Sequence, residues 1–247
     1  MKTPSTTTIG IDLGDKKHAI CVIDASGTII DERSITNHRE SLRRLAKKYP
    51  GARVALEVGS HSPWISRFLR ELGLEVIVAN ARKLRAIYQS DRKSDERDAR
   101  MLARLARVDP ALLHPIKHGS EQAQRDLLQV KLRDNLVRQR VDVISAVRFT
   151  LKSLGVRLPS PNTACFAKRA RTVLGKEHAD LLAMIEPSLV VLDIMTQQIR
   201  ELDRAIERLC EERYPQTKAL REIRGVGPIT ALCFVLVYVA CCEHGGR

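Results

Sequence analysis

The stretch TIGIDLGDKKHAICVIDASGTIIDERSI, residues 8–35, decides how the fold begins. At its start Ile9, Ile11 and Leu13 alternate with small or polar residues, which is the period-two pattern of a β-strand. The links GDKK and ASG separate this run from two further runs with strand character. Because links this short connect only antiparallel neighbours, the stretch predicts a three-stranded antiparallel meander.

Helix and strand patterns alternate after the meander. HRESLRRLAKKYP (38–50) is typical of a helix that Pro50 ends, and ARVALEV (52–58) of a strand. SPWISRFLRELG (62–73) predicts a second helix, with Ser62 as its N-cap, Pro63 at its first position and Gly73 at its stop, and LEVIVAN (74–80) a fifth strand. This order predicts an α/β domain over residues 1–118, built on a mixed five-stranded sheet with parallel strands on one side.

The chain becomes helical from residue 119. Two segments, interrupted by LPSPNT (158–163), carry apolar residues at seven-residue spacing. The first segment contains Val130, Val137, Ile144 and Leu151, with Val141, Val147 and Leu154 beside them; the second contains Ile185, Leu192, Ile199 and Ile206, with Met195, Leu202 and Leu209. Residues 119–215 are therefore expected to form either a coiled coil or a helical hairpin that packs on itself.

The chain is strongly basic. Its 247 residues carry a formal charge of +13 and its pI is about 9.8, which favours a polyanionic partner over the alternative of a soluble protein that merely happens to be basic. Aromatic residues make up only 4%, so contacts to the phosphate backbone are expected to dominate over base stacking. The scattered cysteines suit a reducing cytoplasm, and the longest uncharged apolar run, Ile229 to Cys242, is too short to span a membrane.

Four acidic residues stand in unusual places. Asp12 interrupts a strand, and Glu57 ends an apolar one. Asp95 and Asp98 precede the apolar residues of the helical segment ERDARMLARLARV at helical spacing, so both are expected on its inward face. A single Asp there would be explained as an N-cap, but two inward carboxylates need neutralisation.

A metal site accounts for all four acids together. In a mixed sheet the fourth strand lies beside the first, which makes Asp12 and Glu57 neighbours and lets the helix with Asp95 and Asp98 cover them. Mg²⁺ prefers oxygen ligands, and two such ions clamp the attacking and leaving oxygens of a phosphodiester. The surrounding cations, among them Arg92, Lys93, Arg97 and Arg100, are then expected to hold a DNA or RNA backbone.

Three motifs resemble a known family. GIDLGDKKHAICVID, ALEVGSHSPW and KSDERDARMLARL are similar to the RuvC-like domain of the DEDD insertion-sequence transposases, over roughly residues 7–160. The resemblance implies an RNase H-like fold, a metal-binding tetrad formed by Asp12, Glu57, Asp95 and Asp98, and Mg²⁺-dependent DNA strand cleavage and exchange. It also implies a structured bridge RNA as guide, homo-oligomers on DNA, and a serine nucleophile in a C-terminal domain.

The C-terminal segment, residues 216–247, matches the family only at its start. LREIRGVGPITAL resembles the beginning of the second conserved domain, but only sixteen residues follow GVGPITA, and none of them matches the expected serine. We therefore expect a truncated chain with an incomplete recombination cycle. Gly225 and Gly227 allow a tight turn whose N–H groups meet a phosphate, as in a helix-hairpin-helix, or simply a Gly–Pro turn between two helices.

Other functions remain open from the residues alone. An actin-like sugar kinase begins with a similar Asp-x-Gly strand, but the later phosphate and adenosine motifs of that class are not found in the sequence. A junction-resolving nuclease has the same type of acidic tetrad but does not need the long heptad region. A catalytically inactive relic or a DNA- or RNA-binding regulator would need the basic surface and no metal chemistry.

Overall fold

The structure is a computed structural model, and it describes residues 7–83, 94–158 and 162–239. The chain forms two compact units, which divide after His118. A further division of the second unit at residue 215 stays a prediction. No described helix combines the length and the apolar character that a membrane crossing requires.

The first unit contains a mixed five-stranded sheet. Its elements are β1 (Thr8–Asp12), β2 (Lys17–Ile23), β3 (Ile29–Thr36), α1 (Arg39–Lys48), β4 (Arg53–Glu57), α2 (Ser62–Glu71), β5 (Glu75–Ala79) and α3 (Asp95–Val108), followed by a 3₁₀ turn at Pro110–Leu113. The strand order is β3-β2-β1-β4-β5; the β1–β2 and β2–β3 pairs are antiparallel, and the β1–β4 and β4–β5 pairs are parallel. This is an RNase H-like α/β fold, and it confirms the predicted sheet.

The two faces of the sheet differ in side-chain size. One face buries branched residues such as Ile9, Ile11 and Leu56 in an apolar core with α1 and α2. The other face carries small residues, including Gly10 and Ala55, and packs against α3. Small side chains allow a helix to approach a sheet closely, so the second face holds α3 directly over β1.

The predicted boundaries of α2 are confirmed at one end only. Gly73 adopts a φ of +84° and ends the helix. Ser62, however, is the first helical residue and not the N-cap, a position that His61 occupies without a side-chain cap. The buried Ser62 hydroxyl instead accepts a hydrogen bond from the Gly59 N–H at 3.0 Å, which fixes the connection after β4.

The second unit is helical. It contains α4 (Glu121–Ser153), α5 (Phe166–Glu177), α6 (Ala179–Glu212), α7 (Thr217–Arg221) and α8 (Pro228–Phe234), which a π-helical turn at Val235–Val239 continues. The ion pair from Arg133 on α4 to Asp203 on α6 and the hydrogen bond from Arg140 to Thr196 run in opposite sequence directions, so α4 and α6 are antiparallel. The two long helices therefore pair within the chain, as the hairpin interpretation predicts.

Most of the heptad residues lie in this helix interface, but two do not. Ile144, Val147 and Leu151 are buried. Val141 and Leu154 are 43% and 58% exposed, which contradicts the expectation that they fill the same face. Leu154 caps the end of α4, where the backbone has already left the helix, and Val141 lies between the buried positions 140 and 144 on the solvent side.

A buried carboxylate joins the start of α4 to the end of α6. Asp126 is 2% exposed and accepts hydrogen bonds from Arg213, Tyr214 and Gln122 at 2.7 to 3.0 Å. Burial by itself would raise the pKa of Asp126, but the hydrogen bonds from Tyr214, Arg213 and Gln122 together lower it below its ordinary value. The charged form of Asp126 therefore stabilises the folded unit.

Replacing Asp126 by Asn is expected to lower the free energy of unfolding at pH 7 by about 2 to 3 kcal/mol, because charged hydrogen bonds are lost inside the unit. Since the folded pKa lies below the unfolded value of about 3.9, this stability is present above that pH and is lost as the pH falls through the folded pKa. Urea unfolding at neutral and acidic pH measures both effects. The control Asp134→Asn removes an exposed carboxylate from the same helix and should cost at most about 0.5 kcal/mol; equal losses in the two variants would contradict the prediction.

Candidate active site

Gly10 sets the distance between β1 and α3. A Cβ atom at this position would lie 1.9 Å from the carbonyl oxygen of Ala99 and 2.6 Å from the nitrogen of Ala103. Only a residue without a side chain permits this approach of helix backbone to strand backbone. Because side chains alternate along a strand, Asp12 lies on the same face as Gly10 and points toward the α3 side.

Asp12 and Glu57 lie at the carboxyl ends of adjacent parallel strands. Ile11 pairs with Leu56 between β1 and β4, and each acid is the next residue of its strand. Neighbouring strands are about 4.8 Å apart, so the two residues are immediate neighbours. Both are half-buried. The adjacency predicted from strand order is therefore present in the fold.

Helix α3 runs antiparallel to strands β1 and β4. Near its end, the carbonyl oxygen of Ala106 accepts a hydrogen bond from Arg53 at the start of β4, whereas Ala99 near its beginning contacts Gly10 further along β1. From Gly10 to Asp12 the strand rises about 7 Å, and from Ala99 back to Asp95 the helix rises about 6 Å. The first turn of α3 therefore lies level with the strand ends that carry Asp12 and Glu57.

The two acids of α3 differ in burial. Asp98 is half-buried, whereas Asp95 is exposed, so only Asp98 approaches the inward position that the helical spacing predicts. Asp95 starts the helix one turn beyond the residues that pack on the sheet. The N-cap is Ser94, whose hydroxyl accepts a hydrogen bond from the Arg97 N–H at 3.3 Å. The capping explanation for Asp95 is therefore wrong.

The loops after the two strand-end acids contact each other. His61 Nε2 lies 3.2 Å from Asp15 Oδ1, which joins the turn after β1 to the connection after β4. The Trp64 indole N–H donates to His61 Nδ1 at 3.4 Å and fixes the ring from the other side. Sequence reasoning did not single out Asp15 or His61; the only available signal was their position shortly after Asp12 and Glu57.

The donor set of this edge suits a hard divalent cation, since it consists of carboxylate oxygens. Within the described part of the chain, however, no three Asp, Glu, His or Cys side chains lie close enough together to hold one ion. The strand ends and the first turn of α3 thus supply suitable donors at one level of the sheet, without a closed coordination shell.

A family model for transposases, that of the DEDD transposases of the IS110 type, matches residues 9–155, which is more than half of the chain. The chain belongs to this family. All four acids of the predicted tetrad lie within the matched residues, and Gly225 and Gly227 lie outside them.

Three curated proteins are similar to the chain over most of its length. The transposase of insertion sequence element IS1328 from Yersinia enterocolitica is 28% identical over 92% of the chain, and that of IS1111A from Coxiella burnetii is 24% identical over 91%. A putative transposase of Sinorhizobium fredii is 27% identical over 85%. The chain spans 66%, 61% and 54% of the lengths of these relatives.

A solved structure, Thermus thermophilus RuvC in complex with a Holliday junction substrate, aligns with 44% of the chain and 92% of its own length. The sequence identity is 11% and the TM-score is 0.31. The RNase H-like assignment of this DEDD transposase family member rests on its own strand order.

The cations predicted to bind nucleic acid have different environments. Arg100 forms a two-pronged ion pair with Glu32 of β3, with contacts of 2.8 to 3.1 Å, and this hydrogen bonding raises the pKa of Arg100. Its guanidinium therefore fastens α3 to the sheet, and its contact with nucleic acid stays a prediction. Arg97 is exposed on the first turn of α3. Arg92 and Lys93 lie outside the described residues.

The glycine motif of the second unit forms a turn between two short helices. Gly225 has a φ of +89°, and Gly227 is the extended N-cap residue of α8, which has no side-chain cap. The turn between α7 and α8 that both interpretations of the sequence require is present. Whether its N–H groups meet a phosphate stays a prediction.

Proposed function

We propose that this DEDD transposase family member takes part in DNA strand cleavage and exchange, with Asp12, Glu57, Asp95 and Asp98 holding Mg²⁺, in the two-ion arrangement that suits a phosphodiester. The observation that supports this best is the contact of Gly10 with Ala99, which brings the first turn of α3 level with the ends of β1 and β4. This supports a site in which four carboxylates from three elements that are distant in sequence act together at one edge of the sheet.

Each residue has a defined task in this proposal. When bound, Mg²⁺ supplies Lewis-acid stabilisation of the charge that develops on a phosphodiester. Asp12 and Glu57 provide donors on rigid strands, and Asp95 and Asp98 provide donors on a helix that the Arg100–Glu32 pair fastens to the sheet. In the first turn of α3 the acids also interact favourably with the positive end of the helix dipole.

The partners belong to the same proposal. The net charge of +13 supports a nucleic-acid partner. A structured guide RNA and assembly into homo-oligomers follow from the family resemblance, and a cytoplasmic location follows from the scattered cysteines. The free thiols of the described cysteines Cys21, Cys165, Cys210 and Cys233 suit a reducing compartment.

Nicking of supercoiled DNA by the purified chain, with Mg²⁺ and with EDTA, tests the proposal. Cleavage that requires Mg²⁺ is the expected result, because the donors at the sheet edge are carboxylates alone. Cleavage that persists in EDTA would contradict a metal-dependent site. DNA binding without cleavage under any metal condition would favour the alternative of a nucleic-acid-binding regulator.

Asp12→Asn is expected to bind DNA as tightly as the unaltered chain or more tightly, because it removes a negative charge from the edge where phosphates are held and leaves every cation in place. Fluorescence anisotropy in EDTA over a range of salt concentrations measures the affinity and its salt slope. A folded Asp12→Asn chain that no longer binds DNA would contradict the separation of metal holding from backbone binding.

A further inference from the structure

An acid-free segment runs through the end of α4, the following loop and α5. Between Asp142 and Glu177 the sequence has four Arg and three Lys residues and no Asp or Glu. Within α5, Arg171 pairs with Glu186 and Asp193 of α6. The concentrated charge of the segment therefore lies at the end of α4 and in the following loop, at Arg148, Lys152 and Arg157.

A pocket of about 370 Å³ lies in this segment, and we call it the α4 pocket. Its lining residues are Ser145, Arg148, Phe149, Lys152, Arg157 and Leu158. The three cations of the α4 pocket are Arg148, Lys152 and Arg157. Across the described ranges of the chain, no carboxylate forms an ion pair with them. None of the three cations stands at a seven-residue position of α4, so the heptad pattern does not account for them.

The backbone beneath the pocket is fixed by the way α4 ends. Gly155 adopts a φ of +78°, its N–H donates to the Lys152 carbonyl at 3.1 Å, and the Val156 N–H donates to the Leu151 carbonyl at 3.0 Å. This is a Schellman motif, completed by the burial of Leu151 and Val156 in one apolar cluster. The chain after the helix therefore returns along α4 instead of leaving it.

This return places Arg157 beside the helical cations. Its neighbours Val156 and Leu158 are both buried, while Arg157 itself is exposed. The Arg148 guanidinium reaches across to the Leu158 carbonyl at 3.5 Å. The cations of the α4 pocket thus come from two segments that tertiary packing holds together.

Phe149 is the second unusual feature of the pocket. It is 74% exposed, and Lys152 Nζ lies 5.8 Å from its ring centroid. An exposed aromatic ring among cations is the arrangement on which single-stranded nucleic acids bind, with bases stacked on the ring and phosphates on the cations. The helix dipole places a partial negative charge of about half an electron at the C-terminus of α4, which accounts for a cation at Lys152. It does not account for three cations or for an exposed Phe.

We infer that the α4 pocket binds a single-stranded segment of nucleic acid, with an unpaired base stacked on Phe149 and the adjoining phosphates on the three cations. DNA and RNA share this chemistry. The low aromatic content predicted that contacts to the backbone dominate, and Phe149 adds a local stacking contact to them. The inference does not depend on Mg²⁺, because the α4 pocket contains no carboxylate.

Fluorescence anisotropy with labelled oligonucleotides tests the inference in EDTA, where the proposed metal site cannot act. The probes are a single-stranded DNA, the RNA of the same sequence, and an abasic DNA of the same length. Phe149→Ala tests stacking, and Lys152→Glu combined with Arg157→Glu tests phosphate binding. Leu132→Ala and Lys131→Glu are matched controls, since both residues are exposed on the same helix about 25 to 30 Å away.

Phe149→Ala is expected to weaken binding of the base-containing oligonucleotides about tenfold and to leave the abasic one unchanged. The paired charge reversals should weaken binding of all three probes and reduce the salt slope by about 1.5. Whichever of the DNA and RNA probes shows the larger Phe149 dependence identifies the strand. Thermal unfolding should be unaltered in the Phe149 variant, since the side chain is exposed.

Two results would overturn the inference. One is a loss of affinity no larger than in the Leu132 and Lys131 controls. The other is a Phe149→Ala chain whose sedimentation shows a changed oligomeric state while its affinity for oligonucleotides stays the same, because Phe149 would then be a contact between protein chains. Either result leaves the Mg²⁺-dependent nicking proposal untouched.

Discussion

Asp12→Asn is expected to abolish Mg²⁺-dependent DNA nicking, with a rate at least about a thousandfold below that of the unaltered chain. An amide replaces a carboxylate of the same shape, so the fold is retained while one charged donor is lost. Metal ions contribute several kcal/mol of charge stabilisation in phosphoryl transfer, and each 1.36 kcal/mol corresponds to about a factor of ten. Single-turnover cleavage of supercoiled DNA at saturating protein measures the rate.

The matched control is Asp15→Asn. Asp15 lies in the turn that follows β1, its side chain is 89% exposed, and it contacts His61 instead of the sheet edge. The Asp15→Asn substitution removes the same charge three residues away from Asp12. Even if it disturbs the turn, the nicking rate should fall severalfold at most. Similar losses in both variants would show that general charge, and not the position of Asp12, determines activity.

Much of the sheet was accessible from the sequence because strand pairing follows from link length. GDKK and ASG permit only antiparallel neighbours, and the helices before β4 and β5 permit parallel ones, which together place Glu57 beside Asp12. The alternation of Ile9 and Ile11 with Gly10 and Asp12 also gave the correct faces. These patterns are local in the sequence and agree with one another, so the folded structure keeps the elements that they predict.

Other features depend on tertiary contacts that no local pattern specifies. Helical spacing placed Asp95 inward, but Asp95 is the first residue of α3, one turn before the Ala99 contact with the sheet, and its side chain is exposed. Arg100 was predicted to face nucleic acid, and its pairing with Glu32 depends on the register between α3 and β3. The α4 pocket was missed because Arg148 and Arg157 meet only through the chain reversal at Gly155.

The close contact between Gly10 and α3 leads to a second prediction with a large expected effect. Gly10→Ala is expected to destabilise the first unit by about 3 kcal/mol, because the added Cβ would overlap the backbone of α3, which cannot rotate away as a side chain can. Displacing α3 also moves Asp98 relative to Asp12. A shift of about 1 Å can cost a hundredfold in rate, so nicking should fall by about that factor even well below the unfolding temperature.

Gly59→Ala separates this effect from the general cost of replacing glycine. Gly59 follows Glu57 closely, and a Cβ there would meet no atom within 4 Å. The thermal midpoint of the Gly59→Ala variant should change little, whereas that of the Gly10→Ala variant should drop by on the order of 10 °C. Asp12→Asn, by contrast, should lose nicking without losing stability. If Gly10→Ala retained both its thermal midpoint and its nicking rate, α3 would not be held against β1, and the proposed metal site of Asp12, Glu57, Asp95 and Asp98 would lose its physical basis.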